Sequence, residues 1–430
     1  MRDPTQKPAL LLISQVFVPD PAAVGQYMAE VGEEVSKRGW YVKVYAADRG
    51  YDDPRQAYPR YEYSKGMHIR RLRWSSFGKR SIPLRLAGQL SFVVQTFLRG
   101  VFSRRLDAVL VTTSPPMGAV VAWAITFFRR APMHFWVMDM NPDQAVELGA
   151  FDRRHWLVKI FDGFLKRMLR RSKSVIALDA FMAKRLIAKV AGVDTMEKGW
   201  EERAEANESV KSGGLEVLVV PPWPMESLLA PVAHHENPFR KEHHLDGKRV
   251  LAYSGNHSLA HPIETFLLAA GKLGREAEVR FLFIGGGKRK GEVDAAAREG
   301  GVTSLVSLPY QPMEKIRYSL SAADVHLISV GDAMVGCVHP CKFYSALALG
   351  KPILLLGPRR SHVGEILAEY PIGWQVDHGD VARMVEVYSE ILDCSMENLR
   401  ARGLVALEVL RTRFSEAALR DQFVDGILRS

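Results

Sequence analysis

The chain has 430 residues, 47% of them hydrophobic and 25% charged, a soluble composition of two-domain length that excludes a disordered or fibrous protein. Three cysteines (Cys337, Cys341 and Cys394) are too few for a disulfide framework, and no stretch reaches the roughly 18 apolar residues of a membrane span, so a reducing compartment and no bilayer crossing are expected. The formal net charge of +10 argues for an anionic partner.

The first apolar run, ALLLISQVF, turns polar too soon for a secretory signal and reads as a strand buried on both faces. The turn-rich VPDPAAVG, a helical QYMAEVGEEVSKRG closing on Gly39 and a second strand, WYVKVYAAD, complete a βαβ unit, which implies a parallel sheet. From Gly66 to Leu106 there are nine Lys or Arg residues (Arg70, Arg71, Arg73, Lys79, Arg80, Arg85, Arg99, Arg104 and Arg105) and no acid. Inside this block, residues 82–102 predict a helix whose polar residues keep to one stripe. Its wide apolar face with basic flanks suits an anionic membrane surface; the alternative is a face packed on its own domain under solvated arginines. Nucleic acid is not expected, because stacking aromatics are not interleaved with these charges beyond Trp74 and Phe77.

LDAVLVTTSPP and MHFWVMDMNPD are further strands ending in polar and proline residues, where ligands of such sheets bind. Asp139, in the second, is the best acid/base candidate, although a carboxylate there could also cap the following turn. SVIALDAFMAKRLIAKVAG adds a strand and a helix, and the charged Asp194–Gly214 stretch reads as a surface insertion. After LEVLVV comes a proline-rich linker, and a second series of strand–helix pairs starts at RVLAYSGN. The predicted fold is therefore α/β: two doubly wound domains, residues 1–221 and 222–410, with a last helix at 411–430 packing back on the first, and the cleft between them as the default site.

Three loops of the second domain could hold phosphate: Gly255 and Asn256 after its first strand, Gly285 to Lys288 after the next, and the start of CKFYSALALG. The dinucleotide fingerprint G-x-G-x-x-G follows neither first strand. In GCVHPCKFYSALALGKP, Cys337, His339 and Cys341 lack the fourth ligand of a structural zinc site, and the cysteine spacing is one residue too long for a C-x-x-C redox pair. Pro340 instead suits the first turn of a helix that stops at Gly350 and Pro352, with Lys342 projecting beside free N–H groups that hold a diphosphate.

In this order, SQVFVPDPAAVGQYMAEVGEEVSKRGWYVKVYAAD, DAVLVTTSPP, VMDMNPDQAVELG, AYSGNHSLAHPIETFLLAA and HPCKFYSALALGKPILLLGP resemble the family 4 (group 1) glycosyltransferases, in particular members that build bacterial surface polysaccharides. The similarity covers nearly the whole chain. It implies the GT-B fold, two Rossmann-like domains facing across a cleft. It implies that Lys342 faces the donor diphosphate, with Gly255 and Asn256 on the opposite wall and Gly285 and Gly287 alongside. Pro309, Tyr310 and Gln311 would meet the base, Gly25 would lie near the transferred sugar, and Asp139 would face the acceptor. Many members carry Glu-x7-Glu; the matching positions here are Cys337 and Ser345, neither acidic, with His339 nearby.

The implied activity is hexosyl transfer from a nucleoside-diphosphate sugar, with retention, to a glycan that can be polyprenyl-diphosphate-linked, on the cytoplasmic face of a membrane and without metal or other cofactor. Two alternatives stay open: an epimerase or hydrolase acting on the nucleotide sugar without an acceptor, and a non-catalytic partner subunit that only binds it.

Overall fold

A computed structural model describes residues 7–20, 23–50, 53–78, 82–115, 117–192, 210–212, 215–224, 230–275, 277–298 and 302–429. Lys79 and Arg80 of the basic block, and residues 194–209, 213 and 214 of the charged stretch, lie outside these. The chain divides into unit 1, Met1–Pro221 with Leu419–Ser430, and unit 2, Pro222–Ala418.

The strands of unit 1 are β1 (Ala9–Ile13), β2 (Tyr41–Ala47), β3 (Tyr61–Ser64), β4 (Met67–Leu72), β5 (Ala108–Thr112), β6 (Met133–Trp136), β7 (Ser174–Ala177), β8 (Val210–Ser212) and β9 (Leu215–Val219), in the order β3-β4-β2-β1-β5-β6-β7-β9-β8. All are parallel except the edge strands β3 and β8. β1 and β5 bury every residue, as continuous apolar runs in the middle of a parallel sheet must. Two elements depart from the sequence reading. Residues 61–72 form a β3–β4 hairpin, turned by Lys65 (φ 50°) and Gly66 (φ 79°). Residues 210–212, read as part of a surface insertion, extend the sheet edge as β8.

The helices of unit 1 are α1 (Ala23–Lys37), α2 (Ile82–Val101), α3 (Gly118–Arg129), α4 (Asp143–Glu147), α5 (Trp156–Arg171) and α6 (Ala180–Ala191). α2 is inverted relative to a usual amphipathic helix. Its buried stripe is small or polar apart from one ring: Gly88, Phe92, Thr96 and Gly100 face inward. Leu86, Leu90, Val94, Leu98 and Phe102, four residues apart, are exposed. Gly100 permits this inversion, because a Cβ there would collide with Ile125 of α3. The alternative in which the apolar face packs on its own domain is thereby set aside.

Unit 2 contains β10 (Arg249–Ser254), β11 (Val279–Ile284), β12 (Leu305–Leu308), β13 (Val325–Ser329), β14 (Ile353–Leu356) and β15 (Gly373–Val376). They are parallel and ordered β12-β11-β10-β13-β14-β15. The order reverses between β10 and β13, the switch point where doubly wound sheets bind ligands. Its helices are α7 (Pro238–Glu242), α8 (Glu264–Lys272), α9 (Lys290–Arg298), α10 (Met313–Ser321), α11 (Lys342–Ala348), α12 (His362–Glu369), α13 (Val381–Asp393) and α14 (Met396–Arg413). The last helix, α15 (Glu416–Leu428), rejoins unit 1 from Leu419 onward; residues 411–418, read from the sequence as part of the returning segment, belong to unit 2.

Candidate active site

At the C-terminal end of β10 the chain turns out of the sheet through Gly255 and is tied at once to the neighbouring loop. Gly255 N–H donates to the Ile284 carbonyl at 2.9 Å and His257 N–H to that of Gly286 at 2.7 Å. The second loop approaches so closely that only glycine fits: Gly285 and Gly287 have φ of 129° and 131°, and a Cβ on either would strike Gly255 O or Asn256 Oδ1. Past β12, the Tyr310 ring stands against Gly286, where a Cβ would come within 3.1 Å of it, and remains 60% exposed. Gln311 donates its amide to the Pro309 carbonyl at 3.0 Å. Thus Gly255, Asn256, Gly285, Gly287 and Pro309–Gln311 form one continuous rim.

Lys342 lies beneath that rim. A Cβ at Gly255 would sit 3.4 Å from its Nζ. The residue as a whole is half-buried, but its Nζ is shut off from solvent, has no hydrogen-bond partner among the described residues, and stands 3.4 Å from the centroid of the Tyr253 ring. Desolvation pulls its pKa down to about 7. Two histidines, the buried His257 and the half-buried His261, lie within electrostatic reach of it. Desolvation first, and then the charge of Lys342, holds His257 down to about 4 and His261 down to about 3. His261 Nδ1 is 2.6 Å from the Ser329 carbonyl. Desolvation leaves Lys342 only partly charged, and a bound anion such as a diphosphate would complete its protonation.

The sequence reading began this helix near Pro340; α11 starts at Lys342 itself and is seven residues long. Its stop at Gly350, with φ of 60°, is as expected. With so short a helix the dipole is small, and the lysine side chain supplies the charge. Ser345 shares a cavity of about 110 Å³ with Ser254, His326 and Lys342. His339 turns into an aromatic cluster, its Nε2 2.8 Å from the Tyr344 hydroxyl, which in turn lies 2.9 Å from His362 Nε2. The three cysteines are free, and no group of three or more His, Cys, Asp or Glu able to hold a metal occurs among the described residues.

In unit 1, Gly25 lies inside α1 and not in a loop. It is buried, and a Cβ would come within 2.9 Å of Phe17 Cα, so its absence of a side chain lets the helix start rest on the chain leaving β1. Asp139 follows β6 by three residues. It is exposed, yet enough protein surrounds its carboxyl that lost hydration pushes the pKa up to about 6. Exposure leaves it available to a solute, while the raised pKa suits proton transfer near neutrality. Sequence reasoning missed Tyr253, the seat of Lys342; the only signal was its position one residue before the strand-ending Ser254.

Two doubly wound units, the second carrying a glycine-lined rim over a desolvated lysine, have the architecture of the GT-B fold. Residues 22–196 match the Glycosyl transferase 4-like domain. It is 28% identical over 345 residues to the probable glycosyltransferase WbjE of Pseudomonas aeruginosa, covering 79% of each chain. It is 26% identical over 183 residues to WcaI, a putative colanic acid biosynthesis glycosyl transferase of Escherichia coli, covering 42% of this chain and 44% of that one. The structure of Anabaena HepE in complex with UDP-glucose shares the fold, with a TM-score of 0.67 at 13% identity over 98% of this chain and all of that one. No helix among the described residues is long and apolar enough to cross a membrane.

Proposed function

We propose that the protein moves a hexosyl group from a nucleoside-diphosphate sugar, with retention, onto a polyprenyl-diphosphate-linked glycan during synthesis of a cell-surface polysaccharide. The observation that carries this reading is Lys342, a desolvated amine with no hydrogen-bond partner at a glycine rim. In this reading the diphosphate takes Lys342 as its counter-charge, the loop 309–311 receives the base, and Asp139 handles the acceptor proton. Positioning and stabilisation of the departing diphosphate supply most of the rate, with no metal or other cofactor. The UDP-glucose held by HepE supports the donor class, the name of WcaI supports the polysaccharide, and the match of residues 22–196 to the Glycosyl transferase 4-like domain supports retention.

The lipid-linked acceptor draws support from α2, whose exposed Leu86, Leu90, Val94, Leu98 and Phe102 stand beside Arg85, Arg99, Arg104 and Arg105. A helix with its apolar face outward and basic flanks suits the interface of an anionic bilayer at the inner face of the cell membrane.

The test is a thermal-shift panel of nucleoside-diphosphate sugars followed by transfer assays in EDTA with a polyprenyl-diphosphate glycan. One donor should raise the melting temperature of the wild type, and Lys342→Ala should fold normally and lose both the shift and transfer. Wild-type transfer by Lys342→Ala would remove the central claim.

A further inference from the structure

A groove of about 680 Å³ lies where β2, β3 and β4 meet the C-terminal end of α2. Register puts its side chains on one face: Lys43 pairs with His68 and His68 with Tyr63, while Tyr45 pairs with Arg70 and Arg70 with Tyr61. The ring of His68 lies 4.6 Å from that of Tyr41 and 4.8 Å from that of Tyr63. Tyr61 and Tyr63 are 61% and 67% exposed, and Arg60 and Arg70 each rest over the Tyr61 ring at 5.4 Å.

Around these rings stand Lys43, Arg70, Arg99 and Arg104, and none has an ion-pair partner among the described residues. The one carboxylate in the lining, Glu62, accepts from Arg71 at 3.2 Å. Three of the cations are held in place: Lys43 Nζ donates to Ser103 Oγ at 2.8 Å and to the Arg105 carbonyl at 3.2 Å, Arg99 donates to the Gln95 carbonyl at 3.2 Å, and Arg70 rests over Tyr61 at 5.4 Å. Desolvation, and next the neighbouring arginines, hold Lys43 and Arg99 below their usual ranges, as befits fixed like charges without an anion. Lysines that merely guard a sheet edge would be free to sway in solvent.

We propose that this groove binds an acidic oligosaccharide, with sugars packed against the exposed Tyr61 and Tyr63 and carboxylates on Lys43, Arg70 and Arg104. A lone lipid phosphate would use the cations and leave the row of rings idle. The volume falls in the range of small-molecule sites. The groove begins at Tyr41 and His68, near the starts of β2 and β4, whereas Asp139 follows the C-terminal end of β6 in the same parallel sheet. It is thus a second saccharide contact at the other end of the sheet, and it does not depend on the donor assignment.

Calorimetry of the full chain without nucleotide, using tetragalacturonate and neutral maltotetraose as probes, tests this. The acidic probe should bind, more weakly as salt rises, and the neutral one should not. Arg70→Gln with Arg104→Gln should weaken binding by about tenfold or more, the loss expected for charged hydrogen bonds. Tyr63→Ala should weaken it several-fold and Tyr63→Phe should not, all with unchanged melting temperatures. Equal binding of both probes, wild-type binding by the double variant, or no uronate binding would each overturn the proposal. Capture of phosphatidylglycerol vesicles that the double variant loses, without uronate binding, would reassign the groove to lipid phosphate.

Discussion

With its Nζ over Tyr253 and a pKa of about 7, Lys342 is only about half protonated in the unliganded protein at neutral pH. A bound diphosphate favours the ammonium, so binding above this pH must take up a proton. Donor affinity should therefore be flat below about pH 7 and fall by up to about tenfold per unit above it. Calorimetry in buffers of differing ionisation heat should register the uptake, and Lys342→Met should abolish it. His257 and His261, held far lower, stay neutral in this range. An affinity that stays level into alkaline pH would show that the lysine is not the counter-charge. Asp139 gives the opposite limb. With its carboxyl raised to about 6, activity that needs the carboxylate should fall as pH drops through that value. Asp139→Asn should cut kcat by about 10²- to 10⁴-fold and leave the donor thermal shift intact, since the donor rim belongs to the other unit.

α2 sets stability against surface chemistry within one helix. Because Leu90 and Leu98 are 64% and 48% exposed, Leu90→Gln with Leu98→Gln should leave the melting temperature unchanged while abolishing cosedimentation with phosphatidylglycerol vesicles. Gly100→Leu acts on the buried stripe and should cost about 1–3 kcal/mol by overpacking against Ile125, read as a lower melting temperature. The helix itself was legible from its periodicity, but its orientation was not. A hydrophobic stripe alone says that a face will be buried, and only the fit of Gly100 on α3 says which face the fold uses. The β3–β4 hairpin was missed for a related reason: YEYS is short and half polar, and its turn rests on Lys65 adopting a positive φ that sequence gives little reason to expect. The rim of Gly255, Gly285 and Gly287 was readable because glycine is required where loops touch. The seat of Lys342 on Tyr253 was not, because it joins α11 to a strand far earlier in the chain.

At the scale of the molecule, unit 1 is closed by residues from the far end of the chain. α15 lays Phe423 against Trp136 at 4.4 Å between ring centroids, and Arg38 pairs with both Asp421 and Asp425. Gly426 meets Leu218 so closely that a Cβ would collide with it. These contacts reach Arg38 just past α1, β6 and β9, so the last residues complete the core of a unit otherwise formed by the chain up to Pro221. A return of residues 411–430 was expected, but the point of return was not, since α14 and α15 are both helical and are parted only at Phe414 and Ser415. Phe423→Ala should remove about 3–5 kcal/mol from unit 1, the usual effect of deleting a buried ring. Hydrogen exchange locates the loss: protection should fall in β6, β7 and β9 while β10 to β15 and the donor thermal shift hold. Deletion of residues 416–430 should extend the same pattern by baring Trp136. Equal loss of protection in both units would mean that α15 supports the molecule generally, because a helix that completes only one core can lower the opening energy of that core alone.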